Sequence, residues 1–181
     1  MFDLNKKSMS GIAIAMVALG ASWGASAASE SASVSVTATV VDNTCTPQWS
    51  AAGVTVDMGR VSSNDFGADK IGAAETFIMS LVNCGSDTSK VTVTATGEED
   101  SVDSSLFANS VADGATGVAV GLWGGPDFST QLVPNGSISI EYPVVNQSID
   151  MNFKAGLMQT GANAPGAGAV KSVINLTMDY E

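Results

Sequence analysis

The sequence predicts an all-β fold, a β-sandwich of short strands, on three observations. Apolar residues alternate with hydroxyl and charged residues at a period of two along most of the chain, which is typical of strands with one buried face. Gly, Asn, Asp and Pro separate these segments. Beyond residue 27, no window of ten residues keeps a helical period. The 181 residues suit one domain, and the 45% apolar share suits a packed core.

Eight segments carry the alternating pattern, and a turn residue closes most of them. The first is built largely of Val, Ser and Thr, and the second ends at Gly59. The third leads into Gly85, the fourth stops at Gly97, the fifth at 124–126 and the sixth at Pro143. The eight predicted strands are residues 33–40, 54–58, 76–82, 90–96, 117–123, 137–142, 151–158 and 172–180.

The last predicted strand has the clearest division between its two faces. Its apolar face carries Ile174, Leu176, Met178 and Tyr180, and polar residues stand between them. The stretches between strands at 60–75, 97–116 and 159–168 are expected to be long loops.

The first 27 residues match a secretory signal peptide. Lys6 and Lys7 precede a short apolar run at 11–19, and the small residues 25–27 form an A-x-A cleavage site. A membrane anchor is the alternative, but a spanning helix needs about 20 apolar residues, which this run does not supply. We therefore expect export and cleavage after Ala27.

Cys45 and Cys84 are the only cysteines, so only one pairing is possible. In an oxidising compartment we expect them to form a disulfide that closes a loop of about 40 residues. A reactive thiol pair or a metal pair is the alternative, but the chain has no CxxC spacing and no histidine.

Charge and composition exclude several functions. The chain has 18 acidic and 7 basic residues and a net charge of −11, whereas a nucleic-acid binder needs a basic face. Ser-His and Cys-His catalytic systems and His-ligated metals need the histidine that is missing. The acidic run 98–103 lacks the spacing of an EF-hand calcium loop and is interpreted as a solvated loop. We expect no enzymatic activity, no cofactor, no metal and no small-molecule substrate.

The two ends of the exported chain are complementary. Residues 28–41 have strong strand character, yet they precede Cys45 and lie outside the disulfide loop. The last predicted strand runs to the end of the sequence and is expected to leave a sheet edge that must be paired or guarded. A detached strand and an unpaired edge are the two parts that β-strand addition requires.

Three stretches stand in a specific order along the exported chain. The first alternates apolar residues and runs into the first cysteine, and the second is the strand before the second cysteine. The third ends with a Gly fourteen places from the end of the sequence and a penultimate aromatic residue. Their defining residues are Val34, Val36, Ala38, Val40 and Cys45, then 77–85 with Cys84, then 153–158, Gly168 and Tyr180.

In this order the stretches resemble the pilin subunits of chaperone–usher fimbriae, the type 1 fimbrial subunit family. The resemblance implies an incomplete immunoglobulin-like β-sandwich, completed by a donor strand from another subunit. It divides the chain into a signal peptide (1–27), an N-terminal donor-strand extension (28–42) and a pilin domain (43–181). The inserting face would comprise Val34, Val36, Ala38 and Val40. The strand that borders the groove and meets the chaperone would comprise Gly168, Ile174, Leu176, Met178 and Tyr180.

The resemblance also implies partners. A periplasmic chaperone would lend a strand to the groove and hold the C-terminal carboxylate. At the outer-membrane usher, the extension of the next pilin subunit would replace that strand, which builds a head-to-tail fibre on the cell surface that supports adhesion. The chain departs from the family at Ala38, where a Gly is usual, and at Asp179 and Glu181.

Two other classes of protein remain open at this point. A self-contained secreted β-sandwich, binding carbohydrate or protein, would fold its own N-terminal strand into its core and remain a monomer. A secreted hydrolase would need two convergent carboxylates, and the sequence singles out no pair. Within the fimbrial class, both a rod subunit and a tip adaptor fit the length of the chain.

Overall fold

The computed structural model describes residues 44–181, and all of their regular structure is β. No helix within that range is long and apolar enough to cross a membrane. The strands are β1 (Thr46–Pro47), β2 (Ile71–Val82), β3 (Lys90–Gly97), β4 (Phe107–Ala108), β5 (Val118–Gly124), β6 (Thr130–Leu132), β7 (Asn135–Pro143), β8 (Ile149–Gln159) and β9 (Ile174–Tyr180).

The strands form two antiparallel sheets. The larger sheet has the order β1-β2-β8-β5-β4, and β6 also pairs with β5. The smaller sheet has the order β7-β3-β9. Their inward residues pack together, which confirms the predicted all-β sandwich.

The core lies between the two sheets and is centred on Phe153 of β8, whose side chain is fully buried. Its ring stacks on Phe77 of β2 with centroids 5.5 Å apart, and it meets Tyr142 of β7 at 5.8 Å. The Tyr142 hydroxyl accepts a hydrogen bond from the Gly125 N–H and donates one to the Asn152 carbonyl, each at 2.9 Å. Thus the only polar atom on this buried ring is satisfied.

Six of the eight predicted strands are confirmed, as β2, β3, β5, β7, β8 and β9. The predicted loop 60–75 is partly wrong, because β2 begins at Ile71 and pairs there with Met158 of β8. Strands β1, β4 and β6 were not predicted, since two or three residues are too few to establish a period of two. The predicted strand 33–40 lies outside the described residues.

The predicted strand 54–58 is wrong. Val56 and Met58 do turn inward and pack against the core, as the alternation suggests. However, a strand also needs a ladder of hydrogen bonds, and no strand from residue 44 onward pairs with this segment. The left-handed backbone of Gly53 and Gly59, with φ of 84° and 65°, bounds it at both ends.

The expected disulfide between Cys45 and Cys84 is present, with Cα atoms 4.0 Å apart. It lies beside the short β1–β2 pairing, in which Thr46 faces Val82. The disulfide and this pairing together attach the start of the described chain to the end of β2.

Candidate functional site: an open seam between the sheets

One side of the sandwich is closed by the chain, and the opposite side is not closed by any strand of residues 44–181. Strands β6 and β7 follow each other in sequence and contact each other, so they join the two sheets on one side. On the other side β9 is the outer strand of the smaller sheet, and β2 pairs with β1 only at its last two residues. We call the gap between β9 and β2 the seam.

Strand β9 forms one wall of the seam. Among the described residues it pairs with β3 alone, along its whole length from Ile174 to Tyr180. Its polar residues are exposed, while its apolar face is only half-buried although it packs against the core. Burial also raises the pKa of the Tyr180 hydroxyl. The half-buried residues of this face are Ile174, Leu176, Met178 and Tyr180.

The second wall comes from β2 and from the segment that precedes it. Val56, Met58, Phe66 and Phe77 are half-buried and pack against the same core. The Phe66 ring lies so close to Gly72 of β2 that a Cβ there would come within 2.6 Å of it. No sequence pattern assigned these residues to a site, although the alternation of Val56 and Met58 already indicated an inward face.

Lys90 and Glu181 fasten the end of β9. The Lys90 ammonium lies 3.1 Å from Oε2 of Glu181 and 2.8 Å from Oε1 of Glu141 on β7, so it bridges all three strands of the smaller sheet. The hydrogen bonds to Glu141 and Glu181 raise the pKa of Lys90. The hydrogen bond from Lys90 lowers the pKa of Glu181. Glu181 is exposed and Lys90 is only half-buried, so this arrangement positions the strand end and adds little stability.

Gly168 lies before β9 and not on its apolar face. The backbone of Gly114 and Ala115 passes so close to it that a Cβ would collide with both. Two backbone hydrogen bonds, from Ala115 N to Ala169 O and from Gly166 N to Thr116 O, hold these segments together at 3.0 Å. A glycine at position 168 therefore lets the chain pack closely before it enters β9.

The structure thus brings four of the five residues predicted for the C-terminal strand together on one face of β9. The fifth, Gly168, precedes the strand and is not part of that face. The predicted inserting residues Val34, Val36, Ala38 and Val40 lie outside the described residues. In the range 44–181, no group of three or more Cys, Asp or Glu side chains could hold a metal ion. The seam offers apolar side chains and a strand edge, which are suited to binding an extended chain.

Comparison with known proteins finds a relative similar in sequence and solved structures similar in fold. The chain is 27% identical over 164 residues to the uncharacterized fimbrial-like protein YcbV of Escherichia coli (strain K12), covering 90% of this chain and 94% of that protein. Its fold is similar to that of the P pilus rod subunit PapA, with a TM-score of 0.61 and 20% identity over 76% of this chain and 99% of PapA.

A second solved structure, of a chaperone–usher pilus, gives a TM-score of 0.64 at 21% identity and covers 84% of this chain and 96% of that one. These similarities agree with the incomplete immunoglobulin-like sandwich expected from the sequence. The family model for fimbrial proteins matches residues 34–181, which is most of the chain. The chain therefore belongs to the fimbrial protein family.

Proposed function

We propose that this protein is a structural, non-enzymatic subunit of a surface fimbria that polymerises by donor-strand exchange. The observation that carries the proposal is the seam. One wall is an edge strand whose inward residues, Ile174 to Tyr180, are only half-buried. The other wall is a set of half-buried apolar side chains that includes Phe77. A strand inserted between them would cover apolar surface and pair with the backbone edge of β9.

The inserted strand would be the extension at residues 28–42 of a neighbouring subunit. Val34, Val36, Ala38 and Val40 alternate on one face of that segment, which suits a seam with apolar walls. Burying the three Val side chains would contribute roughly 5–8 kcal/mol as an upper value. The match of the fimbrial family model begins at Val34, inside this segment, which supports giving it a role in the fold.

Transport and assembly follow from the same arrangement. Residues 1–27 would direct export and be removed, leaving the extension at 28–42 and the domain at 43–181. While the seam lacks a donor strand, a periplasmic chaperone would cover its apolar walls. The outer-membrane usher would then exchange the chaperone for the next subunit, and the growing fimbria would be displayed on the cell surface.

Deleting residues 28–41 tests this proposal. The shortened chain should still form a complex with the periplasmic chaperone, because the seam is intact, but it should not donate a strand to a neighbour. Moving the segment to the C-terminus, by joining residues 28–42 to Glu181 of the shortened chain through a flexible linker, should give a stable monomer that no longer needs the chaperone. Gel filtration and electron microscopy of fibres measure both outcomes.

The opposite result identifies the competing function. If the exported full-length chain is a highly stable monomer without a chaperone, the donor-strand proposal is wrong. In that case, a self-contained secreted binding module becomes the better description.

A further inference from the structure

A half-buried aromatic group lies on the outer face of the larger sheet, away from the seam and the core. Trp123 points outward from β5, because its neighbour Leu122 points into the core. Its indole lies over Gly121 and Gly156, which face each other across the β5–β8 pair. A Cβ at Gly156 would stand 3.0 Å from this ring, so the absence of side chains at the two glycines lets the indole lie close against the sheet.

Lys154 and Phe128 complete the group. The Lys154 ammonium lies 5.2 Å from the Trp123 ring centroid and 5.9 Å from that of Phe128, so it makes cation–π contacts with both rings. Phe128 adopts this position with a φ of 56°, which is unfavourable for an aromatic residue. We call Trp123, Phe128 and Lys154 the aromatic platform.

The platform carries a cation that has no carboxylate partner among residues 44–181. Both ion pairs in that range are made by Lys90. The nearest acid in sequence to Phe128 is Asp127, and its Oδ1 instead accepts hydrogen bonds from Oγ and N of Ser129 at 2.7 and 3.3 Å. In a chain with a net charge of −11, the ammonium of a half-buried lysine that pairs with no carboxylate of residues 44–181 is suited to receive a carboxylate from outside.

The loop between β3 and β4 has the complementary character. Residues 98–103, which we call the acidic loop, include four carboxylates and the side chain of Val102, which is 68% exposed. Oδ1 of Asp100 accepts hydrogen bonds from the N–H groups of Val102 and Asp103, each at 3.0 Å. The loop is therefore ordered, and it presents an apolar side chain surrounded by negative charge.

We infer that the aromatic platform of one subunit receives the acidic loop of a second copy of this chain. Val102 would pack on the aromatic rings, and the loop carboxylates would pair with Lys154. In a head-to-tail fibre, whose subunits all point the same way, this contact is heterologous and repeats from one subunit to another. This inference rests on the proposed function, since it adds a second contact to subunits already linked by strand donation.

A charge exchange tests the contact in assembled fibres. Lys154→Glu places like charges on the two surfaces, and the triple variant Lys154→Glu, Glu98→Lys, Glu99→Lys restores their attraction. Glu98 and Glu99 are chosen because both are exposed and neither side chain holds the loop together. Lys171→Glu, at an exposed lysine on another segment, makes the same change in net charge and is the matched control.

The measurement is zero-length carbodiimide cross-linking followed by mass spectrometry on fibres mixed from two isotopic forms of the subunit. Wild-type and Lys171→Glu fibres should give cross-links between Lys154 and residues 98–103 of different subunits, and the chaperone-bound monomer should not. Lys154→Glu should lose them. The triple variant should regain links between the peptide substituted at position 154 and the peptide substituted at positions 98 and 99.

The outcomes separate the two proposals. Fibres that form but give no such cross-link between subunits overturn the contact and leave strand donation intact. A triple variant that does not regain the link, although its fibres form, also overturns it. If the wild-type chain forms no fibre at all, the proposed function fails, and this contact fails with it.

Discussion

Lys90 and Glu181 contact each other through both their backbones and their side chains. Lys90 N donates to Glu181 O and Glu181 N donates to Lys90 O, each at 3.0 Å. Their side-chain charges lie 3.1 Å apart. The end of β9, and with it one wall of the seam, is therefore held to β3 by two backbone hydrogen bonds and by an ion pair.

Lys90→Met should lower the melting temperature slightly at neutral pH, because it removes the cation shared by Glu141 and Glu181 but the ion pairs are largely exposed. The pKa of Glu181 is lowered in the folded chain, so its contribution is present at neutral pH and is lost as the pH falls below about 4. The pKa of Lys90 is raised, so its contribution disappears only as the pH rises above about 10.4. Thermal unfolding from pH 3 to 11 should show the difference becoming smaller towards both extremes.

Lys171→Met is the control for this series, since Lys171 is exposed and makes no ion pair within residues 44–181. It should leave the melting temperature unchanged at every pH. A difference between wild type and Lys90→Met that is as large at pH 3 as at pH 7 would contradict the assigned role of the ion pair.

Tyr142→Phe should reduce the free energy of unfolding by about 1–3 kcal/mol. The substitution removes the acceptor for the buried Gly125 N–H and the donor to the Asn152 carbonyl, and an unpaired buried N–H is costly. Tyr180→Phe, on the half-buried face of β9, removes a hydroxyl that makes no hydrogen bond within residues 44–181 and should change little. Urea unfolding of both variants measures the difference, and equal losses would show that the two hydrogen bonds are not the cause.

Replacing Cys45 and Cys84 together by Ala should destabilise the domain by about 4 kcal/mol in the chain-entropy account, since the two cysteines are 39 residues apart in sequence. Reducing the disulfide of the wild-type protein should lower the midpoint of urea unfolding about as much as the double substitution does. Insensitivity to both treatments would argue that the short β1–β2 pairing alone secures this end of the domain.

Val36→Arg tests the inserting face of the proposed donor strand. A charge carried into an apolar seam has no partner there, so fibre assembly should be strongly reduced. Thr37→Arg adds the same charge on the opposite face of the predicted strand and should leave assembly near the wild-type level. Electron microscopy and the yield of fibres measure both, and unchanged assembly by Val36→Arg would reject the assigned face.

The alternation of apolar and polar residues predicts most of the strands, but it does not predict which strands pair with each other. The alternation of β9 and the buried face of β3 were predictable, because each residue contributes to a pattern seven or eight residues long. At 54–58 the same alternation correctly indicated inward residues and wrongly indicated a strand, since a ladder depends on a partner that the local sequence does not specify. Strands as short as β4 exist only because β5 lies beside them.

The candidate site divides in the same way. Its β9 wall was predictable from the apolar face of the strand, and the structure confirms that this face packs against the core. Its second wall was not predictable, because it depends on the contact of Phe66 with Gly72 and the stacking of Phe77 on Phe153. The alternation of a single segment does not specify such contacts. The aromatic platform was missed because Trp123, Phe128 and Lys154 follow no spacing that a linear pattern reveals.

The Cys45–Cys84 disulfide also decides how the domain responds to pulling. Tension arriving through residue 44 passes across the sulfur atoms to the junction of β2 and β3, and so bypasses the loop between two cysteines that are 39 residues apart in sequence. At about 3.4 Å for each extended residue, the disulfide prevents roughly 130 Å of chain from being extended by the applied force. A subunit stretched at this end therefore cannot lengthen by unravelling the segment that forms one wall of the seam.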